Sequence, residues 1–297
     1  MWKYQGNIFN KYFAQRPVID LCKDECNIYY SSRFKNNASV PLFFSVNPTD
    51  FSKTIYVSDT PFLNLGDLGS FDVDGVMPSS ILNVNEDKYL YYVGWTQRKD
   101  VPYHNTIGLA TLSKGVWKKY STGPVFGVSS KQPGFLGAPT CVFHNNLFYM
   151  FYSSCLRWEP YKETFNPVYN LQLATSTNGM DWEPQGVIID LKLEEQGITA
   201  PSILKINNTF LMWYSIRKGK NFREKSEEGF QIKCVESNDL INWLPKQNLD
   251  LNVNLNLKNQ DKMVAYPNVI LINNTLHMLY NGNDFGKFGI EYATAVL

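Results

Sequence analysis

Five prolines, at positions 17, 78, 139, 201 and 267, each open a short apolar run, and they stand 61, 61, 62 and 66 residues apart. The runs read Pro17-Val-Ile-Asp, Pro78-Ser-Ser-Ile-Leu, Pro139-Thr-Cys-Val-Phe, Pro201-Ser-Ile-Leu and Pro267-Asn-Val-Ile-Leu. Four of them lead into polar turns (Asn85-Glu-Asp, His144-Asn-Asn, Ile206-Asn-Asn, Ile272-Asn-Asn), where asparagine tolerates the positive φ of a tight hairpin. An aromatic run follows in every unit, as in Tyr89-Leu-Tyr-Tyr and Phe210-Leu-Met-Trp-Tyr, and after a variable segment comes a third run such as Leu171-Gln-Leu-Ala-Thr. In three units a tryptophan (Trp117, Trp182, Trp243) begins a fourth. A four-strand unit recurring about every sixty residues is the signature of blades set around an axis, since one blade alone cannot cover its own apolar faces. The spacing predicts an all-β fold, a five-bladed β-propeller with four antiparallel strands per blade, in a single domain of residues 1–297.

The fifth unit stops at Leu297 after its third strand, so its fourth has to come from elsewhere. Trp2-Lys-Tyr-Gln-Gly-Asn-Ile matches Trp182-Glu-Pro-Gln-Gly-Val-Ile of the third unit at Trp, Gln, Gly and Ile. Residues 2–9 are therefore expected to complete the last blade and close the ring, covering an edge that would otherwise be left unpaired. An aromatic content of 15% and the scarcity of helix-period patterns agree with this fold class.

Bulk properties limit the partners. A formal net charge of +1 without a basic stripe gives no electrostatic basis for nucleic-acid binding. No run of about 18 apolar residues is present to span a membrane. The N-terminal Met1-Trp-Lys-Tyr-Gln-Gly has no apolar segment of a signal peptide, which points to the cytoplasm. The five cysteines (Cys22, Cys26, Cys141, Cys155, Cys234) are odd in number and lack C-x-x-C spacing, so they read as reduced thiols, and neither a metal nor a cofactor is expected. The oligomeric state is open.

In an up-and-down blade the segment before each proline and the loop between the second and third strands meet at one mouth of the channel. The stretches Gly94–Asn105, Ser153–Tyr169 and Ser215–Gly229 read as long loops on that mouth, whereas the opposite turns are short, and loops of that length mark a functional face. Candidate ligand-binding residues there are Arg16, Arg33, Asp72, Trp95, Tyr103 and Asn105, together with Arg157, Trp158, Arg217, Tyr266 and Asn283. Carboxylates, arginines and aromatic rings around a funnel suit a polar ring such as a sugar. Chemistry at an anomeric carbon needs an acid and a base or nucleophile about 5 to 10 Å apart. Asp20, Asp74 and Glu159 are the candidate set, with Glu159 the acid because Trp158 beside it raises its pKa by desolvation. Each also has a structural alternative: Asp20 as a backbone or Arg16 partner, Asp74 as a turn residue before Gly75, Glu159 as a solvated side chain.

With these residues in view, the chain resembles the five-bladed propeller glycosidases of glycoside hydrolase families 43 and 32, through its Pro-opened strands and the Ser176-x-Asn-Gly-x-x-Trp182 blade ending. Ala14-Gln-x-Pro17, Phe71-Asp-x-x-Gly-Val-Met-Pro-Ser79, Gly94-Trp95, Val101-Pro-Tyr-x-Asn105 and Tyr280-Asn-Gly-Asn283 are similar to a bacterial group of stand-alone propellers encoded with surface-polysaccharide genes. The resemblance implies a propeller acting on a sugar or oligosaccharide in polysaccharide metabolism. It does not extend to the family 43 base, since Arg16 stands where that family has aspartate and Met77, Ala138, Ala200 and Tyr266 hold the equivalent positions. The family 32 phrases Asn-Asp-Pro-Asn and Arg-Asp-Pro are missing as well. Three readings stay open: cleavage or transfer of a glycosidic bond by displaced carboxylates, a phosphorylase or glycosyltransferase whose arginines hold an activated sugar, and a glycan-binding propeller without catalysis.

Overall fold

The computed structural model describes residues 1–11, 13–34 and 37–297, and they form an all-β protein. After β1 (Lys3–Phe9) come β2 (Gln15–Leu21), β3 (Cys26–Arg33), β4 (Ser39–Asn47) and β5 (Asp50–Val57), which form the first antiparallel unit. The second is β6 (Gly75–Val84), β7 (Asp87–Gln97), β8 (Tyr103–Ser113) and β9 (Val116–Lys119). The third is β10 (Leu136–His144), β11 (Leu147–Tyr161), β12 (Thr164–Ser176) and β13 (Glu183–Ile189). The fourth is β14 (Gly197–Ile206), β15 (Thr209–Arg217), β16 (Phe230–Ser237) and the two-residue β17 (Leu244–Pro245). β18 (Ala265–Ile272), β19 (Thr275–Asn281) and β20 (Ile290–Val296) make the fifth, and β1 pairs antiparallel with β20 as its outer strand. Single parallel bridges, Ser39 to Gly75 and Tyr169 to Gly197, join the first unit to the second and the third to the fourth.

The core lies between the units. Val18 and Tyr29 meet Leu90 and Tyr92; Tyr91 and Ile107 meet Leu136 and Phe148; Phe151 and Leu171 meet Ile198 and Phe210. Trp213 and Leu211 meet Leu276 and Met278, and Leu279 and Ile290 return to Ile28 and Phe44 of the first unit. Both faces of every unit are therefore covered by a neighbour, which is why the second strands are aromatic and apolar throughout rather than alternating.

Polar side chains tie the five first strands together. Ser79 Oγ donates to Pro139 O (2.8 Å) and Ser80 Oγ accepts from Cys141 N (3.0 Å). Thr140 Oγ1 donates to Pro201 O, Ser202 Oγ accepts from Val269 N (2.9 Å), and Asn268 Oδ1 accepts from Ile19 N (3.0 Å). The remaining junction, first unit to second, is made by Arg16 Nη2 donating to Ser79 Oγ at 2.5 Å. The polar residue following each later proline thus stitches a unit to the next.

The N-terminal strand is fixed by the features its sequence shares with β13. Gly6 and Gly186 both have positive φ (121° and 103°) just past a one-residue bulge. The bulged Gln5 donates to Thr294 Oγ1 (2.7 Å) as Gln185 does to Thr175 Oγ1 (2.9 Å). Trp2 donates to Leu249 O (2.8 Å) and packs edge-on against Trp213, anchoring the chain start on the fourth unit.

Two segments expected to be loops are largely strand. β11 and β12 run to a two-residue turn at Lys162 and Glu163, and β7 and β8 leave only residues 98–102 between them. Beyond a bulge at Leu156, Arg157 to Tyr161 and Thr164 to Val168 keep pairing because extended Trp, Tyr, Phe and Thr favour a pleated hairpin once the register is set below them. Only the third segment, 218–229 between β15 and β16, is irregular.

Candidate functional site

The start of each first strand is distorted in a way that shapes the mouth. Arg16, Ala138, Ala200 and Tyr266, each preceding a proline, have φ between 49° and 59°, and the pairing register slips there by a bulge. A residue before proline normally adopts extended geometry, so each of these four conformations costs on the order of 1–3 kcal/mol and persists only because the surrounding hydrogen bonds fix it. Asn281 supplies part of that fixing: it is fully buried, its Oδ1 accepts from Arg16 N (2.7 Å), and its Nδ2 donates to Ala14 O (2.8 Å) and Gly289 O (2.9 Å). Ser215 Oγ accepts from Tyr266 N in the same way (2.8 Å). Bulges re-aim side chains, and here Arg16, Met77, Ala138 and Tyr266 line a cleft of about 520 Å³.

All five units contribute to this cleft. One wall carries Trp95, Gln97, Tyr103 and Asn105 of the second unit; another carries Thr164 to Pro167 and Tyr169 from the raised β11–β12 hairpin. Phe222 and Arg223 of the 218–229 segment, Phe230 and Phe285 form an aromatic corner, and Gln15 and Arg33 complete the circuit. Tyr103, Tyr169 and Tyr266 are held as neutral phenols, their pKa values raised by burial. Trp95 sits where it does because Gly75 leaves room: a Cβ at Gly75 would lie 1.8 Å from the indole Nε1.

No carboxylate is among the described residues lining the cleft, whereas four arginines are: Arg16, Arg33, Arg217 and Arg223. Arg217 is 2% exposed; its Nη2 donates to the carbonyls of Pro167 and Gln196, and its guanidinium lies 5.4 Å from the Tyr169 ring and 4.9 Å from the Phe222 ring. Arg16, 8% exposed, lies 5.5 Å from the Tyr266 ring, and burial brings its pKa down to about 10, still charged at neutral pH.

Of the residues singled out in the sequence, Arg16, Arg33, Trp95, Tyr103, Asn105, Arg217 and Tyr266 line the cleft. The three candidate catalytic carboxylates are not brought together in it. Asp20 lies toward the β2–β3 turn, roughly 12 Å along the strand from Arg16, with both oxygens on Lys88 Nζ (2.7 and 2.8 Å). Asp74 accepts from Gln97 N (2.7 Å), which pins β7 to the segment before β6. Glu159 is bound by Arg157 (2.7 Å), with Lys220 3.6 Å away, and its pKa is lowered, first by the Arg157 hydrogen bond, not raised by Trp158 as expected. The reason is geometric: adjacent residues on a strand point to opposite faces, so Trp158 packs inward on Tyr103 and Phe135 while Arg157 and Glu159 share the outer side.

Four more expected ligand contacts do not line the cleft. Asp72, 1% exposed, accepts from Lys119 Nζ (2.6 Å) and Tyr92 OH (3.0 Å). Asn283 holds the segment before β18, accepting from Lys262 N and Met263 N (3.1 Å each) and donating to Lys258 O (2.8 Å). Arg157 reaches outward to Glu159, and Trp158 supports the wall from behind. Arg223, Phe222, Phe285, Tyr169 and Asn166 line the cleft without having been singled out; the Phe222-Arg223 pair inside an otherwise lysine- and glutamate-rich segment is the signal that could have found two of them.

Comparison with known proteins sets the fold in context. No family model matches the chain. It is 28% identical over 305 aligned positions, covering 98% of both chains, to the "Uncharacterized protein Rv1502" of Mycobacterium tuberculosis strain H37Rv and to "Uncharacterized protein MT1551" of strain CDC 1551. Among solved structures it superposes on one described as "Glycoside hydrolase" with a TM-score of 0.74 at 15% identity, covering 98% of this chain and 92% of that one. An exo-1,5-alpha-L-arabinanase from a bovine ruminal metagenomic library gives 0.65 at 12% identity, with 98% and 95% covered. The sucrose-6-phosphate hydrolase of Lactobacillus gasseri gives 0.67 at 11% identity, with 98% of this chain and 60% of that one covered. The chain has a glycoside-hydrolase-like fold.

Proposed function

We propose that the five units are the blades of a five-bladed β-propeller closed by β1, in one domain of residues 1–297, and that its cleft binds a sugar whose glycosyl group the protein transfers. The cyclic succession of inter-unit cores and the polar links between all five first strands support the ring. The observation that carries the ligand class is the cleft itself, where Trp95, Tyr103, Tyr169 and Tyr266 offer ring faces and hydroxyls beside Gln97, Asn105 and Asn166. Aromatic faces stack on the apolar side of a pyranose while amides and hydroxyls bond its edge. The glycoside hydrolase neighbours favour the same ligand class.

Transfer is preferred to hydrolysis because two facing carboxylates, which glycoside hydrolysis ordinarily needs, are not among the described lining residues. Arginines there suit an activated donor, whose leaving group needs positive charge rather than a general acid. The test is a turnover screen of the purified protein with nucleotide sugars and with aryl glycosides, alongside Trp95→Ala and Asn105→Ala. Consumption of a nucleotide sugar, lost in both variants while their thermal unfolding stays near wild type, supports the reading. Hydrolysis of aryl glycosides, abolished by Glu159→Gln, would overturn the preference for transfer. A glycan-binding role without turnover is the second reading, favoured by the same missing carboxylates; sugar affinity with no turnover of any donor would select it.

A further inference from the structure

Four guanidinium groups line one cleft of about 520 Å³, none of them forms an ion pair with a carboxylate among the described residues, and the lining contributes no negative charge. Arg16 lies 5.5 Å from the Tyr266 ring and Arg217 5.4 Å from the Tyr169 ring, while Arg217 and Arg223 share the Phe222 ring at 4.9 and 4.6 Å. Positive groups sharing a cleft that has no carboxylate among its described lining residues suit an anionic partner, the more so for Arg16 and Arg217, which are buried.

The individual groups are built to donate. Arg217 is held by two backbone carbonyls through Nη2 alone, and its buried Nε has no partner. Arg16 uses one nitrogen on Ser79. Arg223 lies 4.6 Å from the Phe222 ring and 5.3 Å from the Phe285 ring; Arg33 lies 5.0 Å from the Phe13 ring and gives one N–H to Asn37 Oδ1 (3.4 Å), which leaves further N–H groups on both to donate. Planar guanidinium groups fixed by stacking are suited to bidentate contacts with phosphate oxygens.

We propose that Arg16, Arg33, Arg217 and Arg223 form a subsite for the phosphoryl groups of a phosphorylated or nucleotide-activated sugar. The proposal rests on the reading of the cleft as a sugar site and specifies what the sugar carries. A single carboxylate brings one negative charge against four positive ones, whereas a diphosphate brings two or three and offers enough oxygens to engage several forks at once. The aromatic corner of Phe222, Phe230 and Phe285 next to Arg223 gives a nucleobase or sugar ring a face to stack on.

The test is isothermal titration of the full chain with inorganic pyrophosphate, uridine diphosphate, a hexose 1-phosphate, galacturonate and a neutral hexose, at low and physiological salt. Pyrophosphate and uridine diphosphate are expected to bind, more weakly as salt rises, and Arg33→Ala and Arg223→Ala, both at the exposed rim, to weaken each by about tenfold or more, the usual worth of a charge-assisted hydrogen bond, with unchanged melting temperature. Galacturonate binding more tightly than pyrophosphate would overturn the phosphoryl assignment in favour of a carboxylate. A neutral hexose binding in wild type and both variants alike, with no affinity for either phosphate compound, would overturn the subsite and leave the sugar reading intact. Pyrophosphate binding lost in both variants, with no sugar phosphate bound more tightly than pyrophosphate, would uphold the subsite and overturn the sugar reading.

Discussion

Replacing Asp72 by alanine separates a structural carboxylate from a ligand-binding one. Asp72 is 1% exposed and accepts from Lys119 Nζ at 2.6 Å and Tyr92 OH at 3.0 Å; the Lys119 side chain is 21% exposed. Removing one member of a buried ion pair costs about 3–5 kcal/mol because the other is left charged and unpaired. Lys119 retains some access to water, which places the loss at the lower end, about 3 kcal/mol, including the orphaned Tyr92 hydroxyl. For a chain of this length the unfolding entropy per residue converts that into a melting temperature lower by about 5 °C. Differential scanning calorimetry of Asp72→Ala, Lys119→Ala and the double variant tests this, and the double variant should be less destabilised than the sum of the singles. An Asp72→Ala protein that melts like wild type but has lost ligand affinity would refute the structural assignment.

Further outcomes follow from the same geometry. Asn268→Ala removes the acceptor for Ile19 N at the junction of fifth and first units, and should lower stability by about 1–3 kcal/mol in urea unfolding, with the slope unchanged if the ring opens only on global unfolding. Gly75→Ala drives a Cβ into the Trp95 indole and should cost about 1–3 kcal/mol while blunting the fluorescence response of the cleft to ligand. Glu159, whose pKa is depressed by Arg157, stays ionised from neutral pH down through the ordinary carboxylate range. Its contribution to stability is complete above that ordinary value and disappears only as pH falls through the depressed one, so Glu159→Gln should leave any pH dependence of turnover between about pH 5 and 8 in place; loss of an activity limb in that window would restore it as an acid.

The repeat was readable because its physics is local. A proline that opens a strand, an Asn-Asn turn and an aromatic second strand each leave a mark, and the Gln-Gly shared by residues 5–6 and 185–186 records one bulge and one hydrogen bond to a threonine. Face assignment failed where it depended on register. Bulges beside the prolines turn Ser79, Thr140, Ser202 and Asn268 onto the next strand, and Arg16, Met77, Ala138 and Tyr266, each before a proline, take the cleft. The ion pairs of Asp20 with Lys88 and of Asp72 with Lys119 join residues far apart in the chain and cannot be paired from sequence. The meeting of Arg16 and Arg33 of the first unit with Arg217 and Arg223 of the fourth emerges only once the two are folded together.

The most direct measurement is a crystal structure of the protein with a nucleotide sugar bound. Phosphate oxygens are expected within hydrogen-bond distance of Arg217 and at least one of Arg33 and Arg223, with the sugar against Trp95 and Tyr103 and no carboxylate facing the anomeric carbon. A sugar seated elsewhere, or one whose anomeric carbon lies between Asp74 and Glu159 with the arginines uninvolved, would contradict the assignment of the cleft.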